Sequence, residues 1–511
     1  MTQTRTWSQQ QEAIFNFIVT TTSHLIVRAR AGTGKTTTIV EAVKRWLAAN
    51  VGKAALICAF NKRIAEELVG RFAGCTGIEV KTLHAIGFAC CRRFRERLII
   101  ENARRVEVTR KDALALKVCG RSAPDAIQKL VAKLHTLGRE VAPHASKVGD
   151  LTELAIRFEC EPDEAWGKAG FGLEYVETKA LAAMELAADV KNGDTIDFSD
   201  MIFLPVRNGW LVKQYDLVVV DEAQDMTTAQ LEIACGVLNK GGRICVVGDD
   251  QQAIYGFRGA DSDSLDRLKA ELQAQELGLT VTYRCGKTIV DVAKGYVPDF
   301  EAGPNNGEGR ISSVPSPEAI VPMAGPGDFV LSRLNAPLVS IAMQLLRNGK
   351  RARVAGKEIG KGLIALLRKM KANSVPDLLR KIETWSSREQ ARLEAQASGM
   401  TNGRKKAMQD KAEAIKDQAD MLVNLCDGAK NVDEVMTRAD ALFTDDGLGQ
   451  AGVITCSSVH KAKGLEAERV FVLASTLRQG NKEEENICYV AVTRAKAELV
   501  WVGEMKAEGS R

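Results

Sequence analysis

An apolar run, Leu25-Ile26-Val27, leads into Ala29-Arg30-Ala31-Gly32-Thr33-Gly34-Lys35-Thr36, the layout of a strand, a glycine-rich loop and a helix start. That order demands a strand behind the loop and a helix ahead of it, and so constrains the fold to the α/β class. In such a loop the backbone N–H groups wrap a β-phosphate, the Lys35 ammonium bridges the β and γ oxygens, and the Thr36 hydroxyl ligates Mg²⁺. The pattern implies a bound nucleoside triphosphate held by Ala31, Gly32, Thr33, Gly34, Lys35, Thr36 and the following Thr37. Alanine stands at position 29, where the strict pattern has glycine.

A second segment completes the site. Leu217-Val218-Val219-Val220 is a continuous apolar run, as expected of a buried parallel strand, and it ends in Asp221-Glu222. Open α/β sheets place their ligands at the carboxyl ends of strands. There Asp221 can join Thr36 in holding Mg²⁺, and Glu222 can take a proton from the water that attacks a γ-phosphate. An isolated Asp-Glu pair reads more simply as a helix-cap acid; the phosphate loop upstream favours the catalytic reading.

At 511 residues the chain exceeds one hydrophobic core, so two or more domains are expected. With 45% hydrophobic and 26% charged residues the composition is that of an ordinary soluble protein, which excludes disordered and fibrous classes. A net charge of +5 is compatible with nucleic acid and too small to argue for it. Twelve cysteines without C-x-x-C spacing read as small buried hydrophobes of a reducing cytosol. The N-terminal residues have no signal-peptide core, and no apolar stretch approaches the roughly 20 residues of a membrane span. The expectation is a cytoplasmic protein: nucleoid-associated in a bacterium, in the host cytoplasm if viral.

Short apolar runs recur at 54–59, 244–247, 330–331, 453–456 and 470–473, alternating with helix-like segments as in parallel α/β sheets. They fall into two groups, which predicts two α/β domains facing a nucleotide cleft. Two helix-rich segments interrupt them. The first, about 92–194, is divided into several short helices by Gly, Pro and Asp, and its basic start, Arg92-Arg93-Phe94-Arg95, reads equally as a phosphate contact or a solvated face. The second, about 357–446, contains a polar Ala/Glu/Lys/Arg stretch that predicts a solvent-exposed helical hairpin broken near 399–403.

Further motifs stand in order along the chain. They are Trp7-Ser8-Gln9-Gln10-Gln11, Phe60-Asn61-Lys62, Lys81-Thr82-Leu83-His84, Gly248-Asp249-Asp250-Gln251-Gln252-Ala253-Ile254-Tyr255-Gly256-Phe257-Arg258, Thr282-Tyr283-Arg284, Val459-His460-Lys461-Ala462-Lys463-Gly464-Leu465-Glu466 and Tyr489-Val490-Ala491-Val492-Thr493-Arg494. With the phosphate loop and the Asp-Glu pair, this set resembles the UvrD/Rep family of superfamily 1 DNA helicases from Trp7 to about Val500; the two insertions resemble it only in position and helical character.

The resemblance implies two RecA-like P-loop domains with boundaries 1–91, 195–261 (first domain, 1A), 92–194 (insertion 1B), 262–356, 447–511 (second domain, 2A) and 357–446 (insertion 2B). It assigns Gln11 to the adenine edge, Tyr283 to adenine stacking and Glu466 to the ribose. Gln252 would sense the γ-phosphate, while Arg284 and Arg494 would stabilise its charge, Arg494 as an arginine finger. Phe60, Asn61, Thr82, His84, Tyr255, Phe257, Arg258 and His460 would contact single-stranded DNA, with the aromatics offering faces on which bases stack. The family more often has tryptophan where Phe257 stands, and an aromatic where Ala467 follows Glu466.

The expected activity is that of a DNA-dependent ATPase with Mg²⁺ that moves 3′ to 5′ on single-stranded DNA and unwinds duplex in repair, recombination or replication. The expected partners are single strands, single-strand/duplex junctions and single-strand-binding or recombination proteins, with the chain a monomer or weak dimer. Competing readings are a translocase that displaces proteins with little unwinding, an RNA helicase, and a nucleotide-switched binding module without a motor.

Overall fold

A computed structural model of the chain describes residues 6–59, 61–94, 98–100, 109–162, 164–189, 195–254, 264–397, 402–444, 452–478 and 480–504. Internal contacts group the residues into two units, the first running to Leu279 and the second from Thr280 onward together with Arg30–Thr33.

The first unit is built on a six-stranded sheet in the order Ile78–Thr82, Ala55–Ala59, Tyr215–Val220, Leu238–Gly248, Leu25–Ala29, Gln275–Leu279. All of its pairings are parallel. Because side chains alternate faces along a strand, each central strand feeds two cores. Leu25, Val27, Ile57, Val219 and Val247 pack with Ile14, Phe15 and Trp46 on one face. Ile26, Leu56, Val218, Val220 and Val246 pack with Ile202, Ile233 and Leu265 on the other. This double burial is why the strands read as unbroken apolar runs.

The described residues between 92 and 194 are mainly helical, as expected, but not uniformly in short pieces. The helices Asp125–Val141 and Leu173–Ala188 are 17 and 16 residues long and pack on one another. A two-residue parallel pair, Ile99–Ile100 with Thr195–Ile196, closes the base of the segment. A buried ion cluster ties it to the sheet's helix Phe198–Arg207: the guanidinium of Arg139, fully buried, meets Asp197 at 3.0 Å and Asp200 at 2.7 Å, and Arg110 pairs with Asp200 as well. Beside it His135 is buried with Nε2 on the Lys111 carbonyl at 2.9 Å, and burial pushes its imidazole down to about 3, with Arg139 adding to the shift.

The second unit carries a seven-stranded parallel sheet ordered Arg310–Val314, Ala495–Val502, Ala467–Leu473, Phe329–Ser332, Ile454–Ser458, Ala352–Ala355, Phe443–Thr444. The hairpin appears as Val375–Ala397 and Asn402–Cys426. It is not solvated throughout, because its sheet-proximal ends place Leu378, Ile382, Met421, Leu422 and Leu425 in the unit's core with Val354, Phe471 and Val500. The buried Asp417 carboxylate accepts the N–H groups of Asn335 and Ala336 at 2.7–3.1 Å and so caps the helix Ala336–Arg347. A hairpin fastened this way shares the stability of the sheet it stands on.

All twelve cysteines are free thiols and ten are buried, as small core residues. No helix among the described residues is long and apolar enough to cross a membrane.

Candidate nucleotide and nucleic-acid sites

The strands of the first sheet run parallel, so their carboxyl ends share one edge. Register pairs Val220 with Val246 and Arg28 with Gly248, which brings the loop after Ala29, the Asp221-Glu222 pair and Asp249 to neighbouring strand ends. Gly32 and Gly34 adopt φ of 69° and 79°, a left-handed backbone that side-chain-bearing residues avoid. The helix Lys35–Ala49 that follows has no side-chain cap at Gly34, so its first N–H groups remain available to an anion.

Around that helix start the predicted residues converge. The Lys35 ammonium lies 3.5 Å from Glu222 Oε1, and the Thr36 hydroxyl lies 3.5 Å from Asp221 Oδ2. Asp221 is buried, and burial together with the Glu222 charge raises its carboxyl to about 7 against the opposing pull of Lys35. A carboxylate desolvated in this way gains most from a cation, and with Thr36 it forms a hard oxygen pair that fits Mg²⁺. Glu222 holds a left-handed backbone with φ 53°, and its N–H donates to Asp221 Oδ1 at 3.0 Å. Gln252 is buried and donates to Asp249 Oδ2 at 2.6 Å.

Gln11 enters the same neighbourhood from the helix Gln9–Thr20. Its side chain forms a capping box with Ser8, Oε1 accepting the Ser8 N–H at 3.1 Å, while Nε2 donates to Thr38 Oγ1 at 3.0 Å. Both ends of the amide are thus engaged within the unit. Each bond uses one of two donors or one of two lone pairs, so the amide keeps a second N–H and a second lone pair for a base edge while these bonds fix its orientation.

The candidate DNA residues of this unit lie toward the far side of the sheet. Asn61 caps the helix Lys62–Arg71 through Ile64 N–H at 2.9 Å, and Thr82 accepts Ala85 N–H at 3.2 Å at the start of Leu83–Phe94. His84 packs edge-on against Phe198 with centroids 5.8 Å apart, and burial lowers its pKa. Four strand spacings, roughly 19 Å, separate the strand before Thr82 from the strand before the phosphate loop. Phe60, Tyr255, Phe257 and Arg258 lie outside the described residues.

In the second unit Tyr283 is 49% exposed. The Arg284 guanidinium meets Glu466 Oε2 at 2.6 Å and donates to the Thr493 carbonyl at 3.3 Å. Burial opposes ionisation of Glu466, but Arg284 and Lys496, the latter at 2.9 Å, hold its carboxyl below the usual range. Arg494 is buried and bonded through each of its nitrogens: Nε donates to the Val490 carbonyl at 2.9 Å, Nη1 to the Leu465 carbonyl at 3.1 Å and Nη2 to Thr493 Oγ1 at 3.2 Å. His460 sits on the short helix Val459–Ala462, its imidazole lowered to about 4 by burial and by the Arg333 and Lys463 charges, so it is neutral at pH 7.

Several polar residues in these networks had no role from sequence reasoning. Gln224 donates to Glu222 Oε2 at 2.6 Å, and Thr38 receives Gln11. Arg28 gathers Asp250 at 3.2 Å, Asp266 at 2.5 Å and Glu276 at 2.9 Å at the strand end before the loop. An arginine inside an otherwise apolar strand was the available signal for Arg28, since a charge there demands partners.

Comparison with known proteins agrees with this layout. Residues 7–273 match the UvrD/REP helicase N-terminal domain, and residues 453–502 match the UvrD-like helicase C-terminal domain. The chain is 24% identical to F-box DNA helicase 1 of Gallus gallus over 96% of its own length and 48% of the relative's. It is 24% identical to the ATP-dependent DNA helicase PcrA of Staphylococcus epidermidis over 57% of its length and 39% of the relative's. Against the ATP-dependent DNA helicase UvrD2 of Mycobacterium tuberculosis the identity is 25%, covering 96% and 77%. The chain therefore spans half or less of the first two relatives. A match over more than half of the chain, on a parallel sheet whose carboxyl edge gathers Lys35, Thr36, Asp221 and Glu222, shows that the chain belongs to the UvrD/Rep helicase family.

Proposed function

We propose that this chain hydrolyses ATP and uses it to move along single-stranded DNA in the 3′ to 5′ direction, unwinding duplex as it goes. The observation that carries the hydrolytic half is the cluster of Lys35, Thr36, Asp221 and Glu222 at one strand edge beside an uncapped helix start. In this reading Lys35 neutralises the β and γ oxygens, and Thr36 with Asp221 holds Mg²⁺. Glu222 orients and deprotonates the attacking water. Gln252 senses the γ-phosphate, and Arg284 and Arg494 stabilise charge there. When bound, the metal screens phosphate charge and fixes the leaving oxygens.

The DNA half rests on the family and on the separate position of Asn61, Thr82 and His84 on the same sheet edge. The substrates in this reading are single strands and their junctions with duplex, and the pathway is repair, recombination or replication.

A second reading has specific support. Between Ala352–Ala355 and Phe443–Thr444 the described insertion consists of four helices, two of them the core-fastened hairpin. So compact an insertion suits a translocase that displaces bound proteins with little strand separation. Strand-displacement and protein-displacement assays run side by side separate the two.

The first test is steady-state ATP hydrolysis with and without single-stranded DNA at low and moderate salt, since backbone contacts weaken steeply with salt. Strong stimulation that fades with salt is the expected result. Hydrolysis indifferent to DNA would favour a nucleotide-switched module, and stronger stimulation by RNA would favour an RNA helicase.

A further inference from the structure

Between the carboxylate proposed as base and the segment proposed as phosphate sensor stands Gln224, fully buried. Its Nε2 donates to Glu222 Oε2 at 2.6 Å, and its Oε1 accepts the Asp249 N–H at 3.0 Å. A carboxylate oxygen only accepts and a backbone N–H only donates, so one orientation of the amide satisfies both. Asp249 in turn accepts from Gln252 at 2.6 Å. Three hydrogen bonds, joined across Asp249 by its own covalent frame from carboxylate to backbone N–H, therefore link Gln252 through Asp249 and Gln224 to Glu222, all within the first unit.

The backbone is shaped for this path. A Cβ on Gly248 would lie 2.6 Å from Gln224 Oε1, so only glycine lets the amide reach the strand end. Glu222 is held on both oxygens, by Gln224 on one side and by Lys35 at 3.5 Å on the other. A glutamate side chain with free torsions would sample many directions; the amide removes that freedom before the reaction begins.

We propose that Gln224 is a positioning residue for ATP hydrolysis, aiming the Glu222 carboxylate at the attacking water and making that aim follow the state of the Asp249–Gln252 segment. The proposal rests on the hydrolytic reading above and adds the route by which the sensor reaches the base.

The test uses the full chain with Gln224→Met, which keeps length and removes the polar atoms, and Gly248→Ala, which pushes the amide aside while keeping the glutamine itself. ATP turnover is measured with an oligothymidylate, alongside binding of a fluorescent ATP analogue and a thermal melt. Both variants are expected to lose roughly 10- to 100-fold in kcat with KM and analogue binding unchanged. Gln224→Met added to Glu222→Gln is expected to cause no further loss, because the amide acts through that carboxylate; a purely structural role would multiply the two losses. Should Gln224→Met fail to fold, Gly248→Ala decides alone. Wild-type kcat in the folded variants, or multiplied losses, would overturn the proposal. The underlying reading fails on a different result, full turnover in Glu222→Gln by itself.

Discussion

The carboxyl edge of the first sheet and the groups predicted for chemistry in the second unit carry opposite charge and manage it differently. In the first, acids dominate: Asp221 is buried beside Glu222, which Lys35 meets at 3.5 Å, and its carboxyl is pushed up to about 7 by burial and by its neighbour. In the second, arginines dominate, and their partners are supplied locally: Glu466 for Arg284, and the Val490 and Leu465 carbonyls for Arg494. The first site has an excess of negative charge, so a cation and a phosphate loop complement it. The second is balanced by its own fold, and recruiting its arginines to a ligand means exchanging one set of partners for another.

The largest effect expected from this contrast is at the acidic site. Lys35→Ala and Glu222→Gln should each reduce ATP turnover by about 10³-fold or more while leaving binding of single-stranded DNA intact. Retained turnover in either would remove the first half of the comparison.

Arg494 comes next. As an arginine finger it should be worth about 10³ or more in rate. Its bonds predict something further: Arg494→Ala should also lower stability by about 2 kcal/mol, because the half-buried Leu465 carbonyl loses its guanidinium donor and the Val490 carbonyl keeps only the Thr493 hydroxyl. A chemical denaturation curve beside the ATPase assay checks both. An Arg494→Ala protein as stable as the parent would show that the arginine is not the structural fixture its contacts describe.

A smaller effect is expected at Glu466. Replacing it by Gln removes a partly exposed charge partner of Arg284 and Lys496, and the KM for ATP should rise about tenfold, the cost of one charge-assisted hydrogen bond. An unchanged KM would detach Glu466 from the nucleotide.

Much of this was legible beforehand, for a physical reason. Strands buried on both faces must be apolar throughout, so Leu25-Ile26-Val27 and Leu217-Val218-Val219-Val220 announce themselves, and the phosphate loop follows from glycine spacing. What stayed hidden depends on partners far away in the chain. The edge strand Ile78–Thr82 is only half-buried and carries Glu79 and Lys81, so its apolar signal is diluted. Arg139 looks like an ordinary helix cation until Asp197 and Asp200, some sixty residues on, enclose it. Gln11, read from its motif as a ligand residue, is also a helix cap.

The smallest predicted effect distinguishes the two units by acid. Each holds a strongly lowered, neutral imidazole, the buried His135 in the first and the half-buried His460 in the second, at about 3 and about 4. A histidine whose folded pKa lies below its unfolded value near 6.5 contributes stability above pH 6.5, lost as pH falls toward the folded value. His460→Gln should therefore soften the loss of stability between about pH 6.5 and 4 by about 2 kcal/mol at most, with no change at pH 8. Denaturation at both pH values tests it, and His135→Gln gives the counterpart for the first unit.

The strand order of the first sheet also sets a timetable for synthesis. Leu25–Ala29, the strand that feeds the phosphate loop, has Leu238–Gly248 and Gln275–Leu279 as its neighbours, and the acids that enclose Arg28 come from the same late stretch. Roughly 200 residues must follow before either neighbour exists, about 10–40 s at ordinary elongation rates. Through that interval an early apolar strand with unpaired edges waits on the ribosome, and its protection there falls to whatever chaperones the nascent chain meets.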